Sequence, residues 1–243
     1  MILEIKDLHV SIGDKEVVKG INLTIKEGEF HVLMGPNGSG KTSLSRAIMG
    51  HPKMKITKGE ILVDGKSIKE LPADKRAALG LFLEFQNPIE VDGLGLANFL
   101  NTAKASISNE KISPREFLDE IKENGKKLRL REDLIQRSLN FGFSGGEKKK
   151  VEILQMQMLK PKIAILDEPD SGLDVDAVKV VAENINDYAS KQKCGIMLIT
   201  HYSRILKYME PRFVHIIHNG KIVKEGGKEL ADEIEKEGYK VDE

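Results

Sequence analysis

Residues 35 to 42 read Gly35-Pro36-Asn37-Gly38-Ser39-Gly40-Lys41-Thr42, a match to GxxxxGK(S/T). Glycines at these spacings let successive backbone N–H groups turn inward around phosphate oxygens, where side chains would collide. Lys41 then reaches the β and γ phosphates, and the Thr42 hydroxyl is placed to ligate Mg²⁺. The apolar run Phe30 to Met34 before the motif and the helix-compatible Ser43 to Met49 after it supply the strand, loop and helix that this chemistry needs. A glycine-rich turn that binds nothing is the alternative, and the full match in this context stands against it.

At Ile163-Ala164-Ile165-Leu166-Asp167-Glu168 an apolar run ends in two carboxylates. Adjacent side chains on a strand point to opposite sides, so the pair is expected to divide labour. Asp167 would face the water shell of Mg²⁺, and Glu168 a water attacking the γ-phosphate. Alone, such a pair is an ordinary solvated strand end; beside a phosphate loop it becomes the acidic partner. Other candidates are weak singly. Gln86, before Asn87-Pro88, reads as a turn residue, and His201, after an apolar run, as a satisfied structural histidine.

These residues need a scaffold. Short runs rich in Val and Ile (Glu4 to Ile12, Val17 to Ile25, Phe30 to Met34, Gly59 to Val63) alternate with Gly13-Asp14, Glu27-Gly28 and Asp64-Gly65, the punctuation of strands and hairpins. From about Asp92 to Arg137 the apolar spacing becomes helical, which marks a helical insert. Its stretch from 111 to 131 mixes Lys111, Arg115 and Lys122 with Glu116 and Asp119, a pattern better read as a solvated helix surface than as a binding face. Lys148 to Leu159 and Asp176 to Lys191 read as helices, and Ile163 to Leu166 and Gly195 to Thr200 as buried strands. That alternation predicts a parallel sheet with helices on its faces. Ile216 to Val223 reads as an Asn-Gly hairpin and the last residues as a polar helical or frayed tail. One folding unit, 1–243, is expected, with 1–91 and 138–243 as core and 92–137 as insert.

Composition narrows the classes. The 243 residues carry 38 Lys plus Arg against 38 Asp plus Glu, a net charge of zero, which argues against a nucleic-acid-binding or lipid-surface domain. The one cysteine, Cys194, allows no internal disulfide. No apolar run approaches the roughly 18 residues of a membrane span. A cytoplasmic protein is expected, touching a membrane only through a partner.

In order along the chain stand the phosphate loop, Gln86, Phe143-Ser144-Gly145-Gly146-Glu147, the acidic strand, Ser171-Gly172-Leu173-Asp174 and Thr200-His201. This series resembles the nucleotide-binding domain of ABC-type ATPases, whose LSGGQ signature is matched with Phe for Leu and Glu for Gln. The resemblance implies an α/β fold with a mostly parallel phosphate-loop sheet, an antiparallel β subdomain and a helical insert. It also implies two chains head to tail, with ATP between the phosphate loop of one and Ser144, Gly145, Gly146 and Glu147 of the other. His201 would hold the γ-phosphate and attacking water, Gln86 would sense Mg²⁺, and Asp174 would link the two sites.

Met49-Gly50-His51-Pro52, Phe82 to Pro88, Phe143 to Lys149, Asp170 to Asp174 and Thr200-His201-Tyr202 are together similar to the SufC family, the soluble ATPases of SUF iron–sulfur cluster assembly. That resemblance runs over about residues 1 to 230. It implies SufB/SufD-like scaffold partners, a transient ATP-bound homodimer, and no contact with nucleic acid or, directly, with a membrane. The rivals are the ATPase subunit of an ABC transporter and a non-catalytic nucleotide switch; intact Glu168 and His201 argue against the second.

Most ABC ATPases stack adenine on an aromatic residue after the first strand, where Ser11-Ile12-Gly13 offers only Ile12. Lys148-Lys149-Lys150 opens the helix after the signature, at an end whose dipole is already positive. Beside the reading as solvated surface, Lys149 is expected to fold back and pair with Glu168 in the nucleotide-free chain.

Overall fold

The computed structural model describes residues 1–108, 113–201 and 204–239. Lys111 of the charged stretch and Tyr202 of the SufC-like match lie outside them.

The chain opens with a long hairpin, β1 (Ile2–Ile12) and β2 (Lys15–Lys26), turned at Gly13-Asp14. Next come β3 (Phe30–Met34), α1 (Lys41–Ile48), β4 (Lys55–Val63) and β5 (Lys66–Ser67). β2, β1, β4 and β5 form an antiparallel sheet in that order. A short α2 (Ala73–Ala78) leads to β6 (Leu81–Glu84), β7 (Val91–Gly95), α3 (Leu96–Ile107), α4 (Pro114–Lys127) and β8 (Ser138–Leu139). The remainder is α5 (Gly145–Leu159), β9 (Ile163–Asp167), α6 (Val175–Gln192), β10 (Gly195–Ile199), β11 (Phe213–His218), β12 (Lys221–Gly226) and α7 (Lys228–Glu237).

The second sheet runs β12-β11-β3-β10-β9-β6, parallel except for β12. Its inner strands β3, β10 and β9 are largely apolar on both faces because both are covered. Val32, Met34, Ala164, Leu166, Ile196 and Leu198 join one core cluster with the insert, α5, α6 and α7. Their strand neighbours Leu33, Ile163, Ile165, Met197 and Ile199 join a second cluster with α1 and the antiparallel sheet. The period of two along each strand thus builds two cores from one sheet. Carboxyl ends of the parallel strands share one edge, and there the loops after β3, β6, β9 and β10 meet, the usual place for a ligand in such sheets. The α/β fold with an antiparallel subdomain agrees with the sequence reading.

The insert differs at its start, where residues 91–95 form a strand against Ser138 and Leu139. Gly93, at φ 76°, and Gly95 disfavour a helix there. Its two helices pack on α5, and Leu96, Leu100, Phe117 and Ile121 are buried in the first cluster. Ser113 and Glu116 form a capping box at the start of α4, with Pro114 in its first turn. The charged face of α4 is solvated: Lys127 pairs with Glu123 at 2.7 Å, while Glu120 bridges Lys104 at 3.2 Å and Lys160 at 2.7 Å. Among the described residues no helix is long and apolar enough to cross a membrane.

Candidate active site

β3 delivers the chain into the phosphate loop, and close packing dictates glycine at two points. A Cβ on Gly35 would lie 2.2 Å from the Ile217 carbonyl oxygen; on Gly40, held at φ 109°, it would lie 2.7 Å from that of Val17. Among the described residues no side chain caps the first N–H groups of α1, so its positive end stays open to an anion. Lys41 is buried, and its ammonium donates to the carbonyls of Gly35 at 2.8 Å and Pro36 at 3.0 Å, curled inside the loop. Burial lowers its pKa, opposed by the charges of Glu168 and Asp167. Ser39 Oγ is buried without a hydrogen-bond partner among the described residues. Both features fit phosphate: an anion's oxygens would satisfy the hydroxyl and draw Lys41 outward.

Asp167 closes β9 facing α1, where Thr42 and Ser45 donate to its two carboxylate oxygens at 3.4 and 3.3 Å. Burial raises its pKa. This carboxylate with the adjacent hydroxyls is a hard oxygen donor set suited to Mg²⁺.

Glu168 lies past the strand end, at φ 56°, with its N–H donating to the Ile199 carbonyl at 2.9 Å. A left-handed residue, rather than the strand's alternation, thus turns the two carboxylates apart. Glu168 Oε2 accepts from Gln86 Nε2 at 2.7 Å, and Oε1 lies 3.1 Å from His201 Nδ1. A non-glycine residue held here stores strain at a functional position. The structure therefore brings Gln86, Glu168 and His201 together, in a cleft of about 600 Å³ shared with Asn37, Lys41 and Thr42. Ile12, 40% exposed, stands at its mouth.

The signature lies elsewhere. Ser144 caps α5 by accepting from Glu147 N at 3.2 Å, while the Glu147 carboxylate accepts from Ser144 N at 2.8 Å. Glu147 is thus engaged in the helix cap. Gly145 lines a recess with Asn87, Lys148 and Ser171, separate from the phosphate-loop cleft; Gln86 borders both. Asp174 caps α6, accepting from Ala177 N at 2.8 Å, and is exposed.

Lys149 does turn inward, but not to Glu168. Its ammonium donates to Glu84 Oε1 at 3.2 Å and to the carbonyls of Phe85 and Asp167 at 3.3 and 3.4 Å, whereas Lys148 pairs with Glu90 at 2.6 Å. From α5 the nearest strand-end carboxylate belongs to β6, and the left-handed turn has carried Glu168 toward Gln86 and His201. Sequence reasoning gave no role to Glu84, Ser45, Arg204 or Tyr239. Arg204 pairs with Asp170 at 3.2 Å and donates to the Leu173 carbonyl at 3.2 Å, pinning the segment after His201 to the one after Glu168. An acidic residue ending an apolar strand was a visible sign for Glu84; the others depend on distant packing.

Fold and site together define a phosphate-loop nucleotide-binding cassette. Residues 18–171 match the family described as ABC transporter, and the chain belongs to it as an ATP-binding, ATP-hydrolysing domain. It is 53% identical over 239 residues to "Vegetative protein 296" of Bacillus subtilis (strain 168), covering 98% of this chain and 91% of that one. It is 50% identical over 242 residues to the "Probable ATP-dependent transporter ycf16" of Pyropia yezoensis, covering 98% and 96%. Among solved structures, the ATP-binding subunit of an ABC transporter superposes with a TM-score of 0.81 at 27% identity, over 98% of this chain and 94% of that one. A dimeric cassette bound to ADP and Pi after hydrolysis shares the fold, with a TM-score of 0.79 at 22% identity over 93% and 98%.

Proposed function

We propose that this chain is a cytoplasmic ATPase subunit of the SufC type, driving a conformational cycle in a soluble iron–sulfur cluster assembly scaffold of SufB/SufD-like proteins. The observation that carries the mechanism is the split site. The phosphate loop and the exposed signature open on different cavities, so one chain holds two halves that need a second copy, docked head to tail, to become whole. The dimer is transient, formed on ATP.

In that dimer Lys41, Ser39 and the loop amides hold the β and γ phosphates, and Ser144, Gly145 and Gly146 of the other copy close over the γ-phosphate. Glu168 positions the attacking water, His201 holds it and the γ-phosphate, and Gln86 joins their bond network to the metal side. Thr42 and Asp167, with Gln86, would hold Mg²⁺, which when bound offsets charge developing on the phosphate oxygens. The working unit is the whole chain, 1–243, with 92–137 as its helical subdomain. The iron–sulfur role is supported by the stretches shared with the SufC family, above all Phe143-Ser144-Gly145-Gly146-Glu147-Lys148-Lys149. Phe85 and Ile89, 48% and 73% exposed beside Gln86, give an apolar rim for a partner.

A transporter subunit is the second reading, favoured by relatives such as the "Probable ABC transporter ATP-binding protein" of Streptococcus pyogenes, 51% identical over 240 residues. Affinity purification of the tagged chain separates the two. A soluble scaffold that co-elutes and stimulates turnover supports the proposal; a membrane-embedded partner that does so replaces it.

A further inference from the structure

We infer that Tyr239 is a positioning residue of the phosphate loop: its hydroxyl oxygen accepts the N–H of Gly35 at 3.2 Å and fixes the point where the loop leaves β3. The inference rests on the reading of residues 35 to 42 as the phosphate site.

The contact is built from 204 residues away. α7 lies against β11 and β12, with Leu230 and Ala231 buried in the first core cluster and Ile234 packed on it. Gly238, at φ 73°, then reverses the chain, and its N–H donates to the Ile234 carbonyl at 2.9 Å. A side chain at that φ would be strained, so glycine makes the reversal possible. The half-buried ring of Tyr239 packs on the same cluster, and its rigid length carries the hydroxyl to the loop. The described residues after α7 are therefore anchored up to Tyr239.

Gly35 needs outside support. It lacks a side chain, and a Cβ there would collide with the Ile217 carbonyl. Lys41 holds its carbonyl from the cleft side and Tyr239 holds its N–H from the core side. Phosphate draws Lys41 away from the Gly35 carbonyl, and the tyrosine hydroxyl then remains as a side-chain tether on this residue. Tyr239 has no place among the reacting groups, so its loss should weaken nucleotide binding more than it slows chemistry. A hydrogen bond of ordinary net strength corresponds to about a fivefold change in affinity.

The test is steady-state ATP hydrolysis by the full chain carrying Tyr239→Phe, with Tyr208→Phe as control. The expected result is a KM for ATP raised about fivefold, an essentially unchanged kcat, and a control that matches the parent. An unchanged KM, or a loss confined to kcat, overturns the assignment. Should Tyr239→Phe melt well below the parent, titration with ADP and Mg²⁺ decides, because the chain has no tryptophan and four tyrosines and its tyrosine emission is readable directly. The midpoint of that emission change, which reads affinity whatever its amplitude, is expected at about fivefold higher ADP in the variant, and an unmoved midpoint overturns the inference. Lys41→Ala tests the phosphate-site reading separately, through loss of nucleotide binding whatever Tyr239 does.

Discussion

The Lys149 ammonium stands 3.2 Å from Glu84 Oε1 in the interior, the two side chains 5% and 0% exposed. Burial pushes Glu84 up to about 8, with the charge of Lys149 pulling against it, and Oε2 has no hydrogen-bond partner among the described residues. Since Lys149 also donates to the carbonyls of Phe85 and Asp167, it ties together the ends of β6 and β9, the strands that carry Gln86 and Glu168. Removing one member of a buried pair strands the other. Lys149→Met is expected to lower the unfolding free energy by about 3 kcal/mol, and adding Glu84→Leu to recover much of the loss. Urea denaturation of the two variants checks this; a double variant no more stable than the single one would refute the coupling.

Glu168→Gln should retain ATP and Mg²⁺, since Lys41, Thr42 and Asp167 are untouched, while turnover falls by about 10² to 10⁴. The amide keeps an oxygen for Gln86 Nε2 but cannot accept a proton from water. Single-turnover hydrolysis measured beside nucleotide affinity separates these effects. Parent-like turnover would mean that another group activates the water.

Much of this site was legible because it is local. Loop, strand and helix around Lys41 follow one another in sequence, and the alternation of Val32, Leu33 and Met34 between two cores is the period of a buried strand. The orientation of Glu168 was not legible: strand periodicity separates it from Asp167, but the rotation comes from a left-handed residue set by pairing with Ile199 on β10. For Lys149 the sequence left solvated surface and an inward turn toward Glu168 both open, and its actual partner depended on which strand end lies nearest α5. Tyr239 gave no sign at all, because its contact is created by the docking of α7.

Acid should loosen the six-stranded sheet where β3, β11 and β12 lie side by side. His31 Nδ1 lies 3.0 Å from His215 Nε2, and the outer nitrogens of the two rings meet Glu29 at 3.2 Å and Glu225 at 2.6 Å. Burial holds His31 at about 4, against an ordinary 6.5, with Glu29 opposing the shift; burial lowers His215 as well. Between those values the unfolded chain binds more protons than the folded one, so stability falls as pH drops from 6.5 toward 4. For His31 the loss amounts to at most about 3 kcal/mol. His31→Phe, stacked on Phe213 like the native ring, is expected to reduce that slope in chemical denaturation between these pH values. An unaltered slope would remove His31 as its source.

Two inactive variants should together make an active enzyme. Lys41→Ala removes the ammonium that the phosphates require, with an expected loss of turnover of about 10² or more. Ser144→Arg places a bulky cation where the other copy's γ-phosphate is expected, and it silences the opposite half of the composite site. In a dimer of one variant with the other, the damaged phosphate loop faces the damaged signature. The remaining site joins the intact loop of one chain to the intact signature of the other. Random pairing of equal amounts leaves about a quarter of all sites whole, so the mixture should recover about that fraction of parental turnover, under whatever conditions the parent dimerises. A mixture as inactive as its components would mean that loop and signature of the same chain serve one nucleotide, and the head-to-tail arrangement would fall.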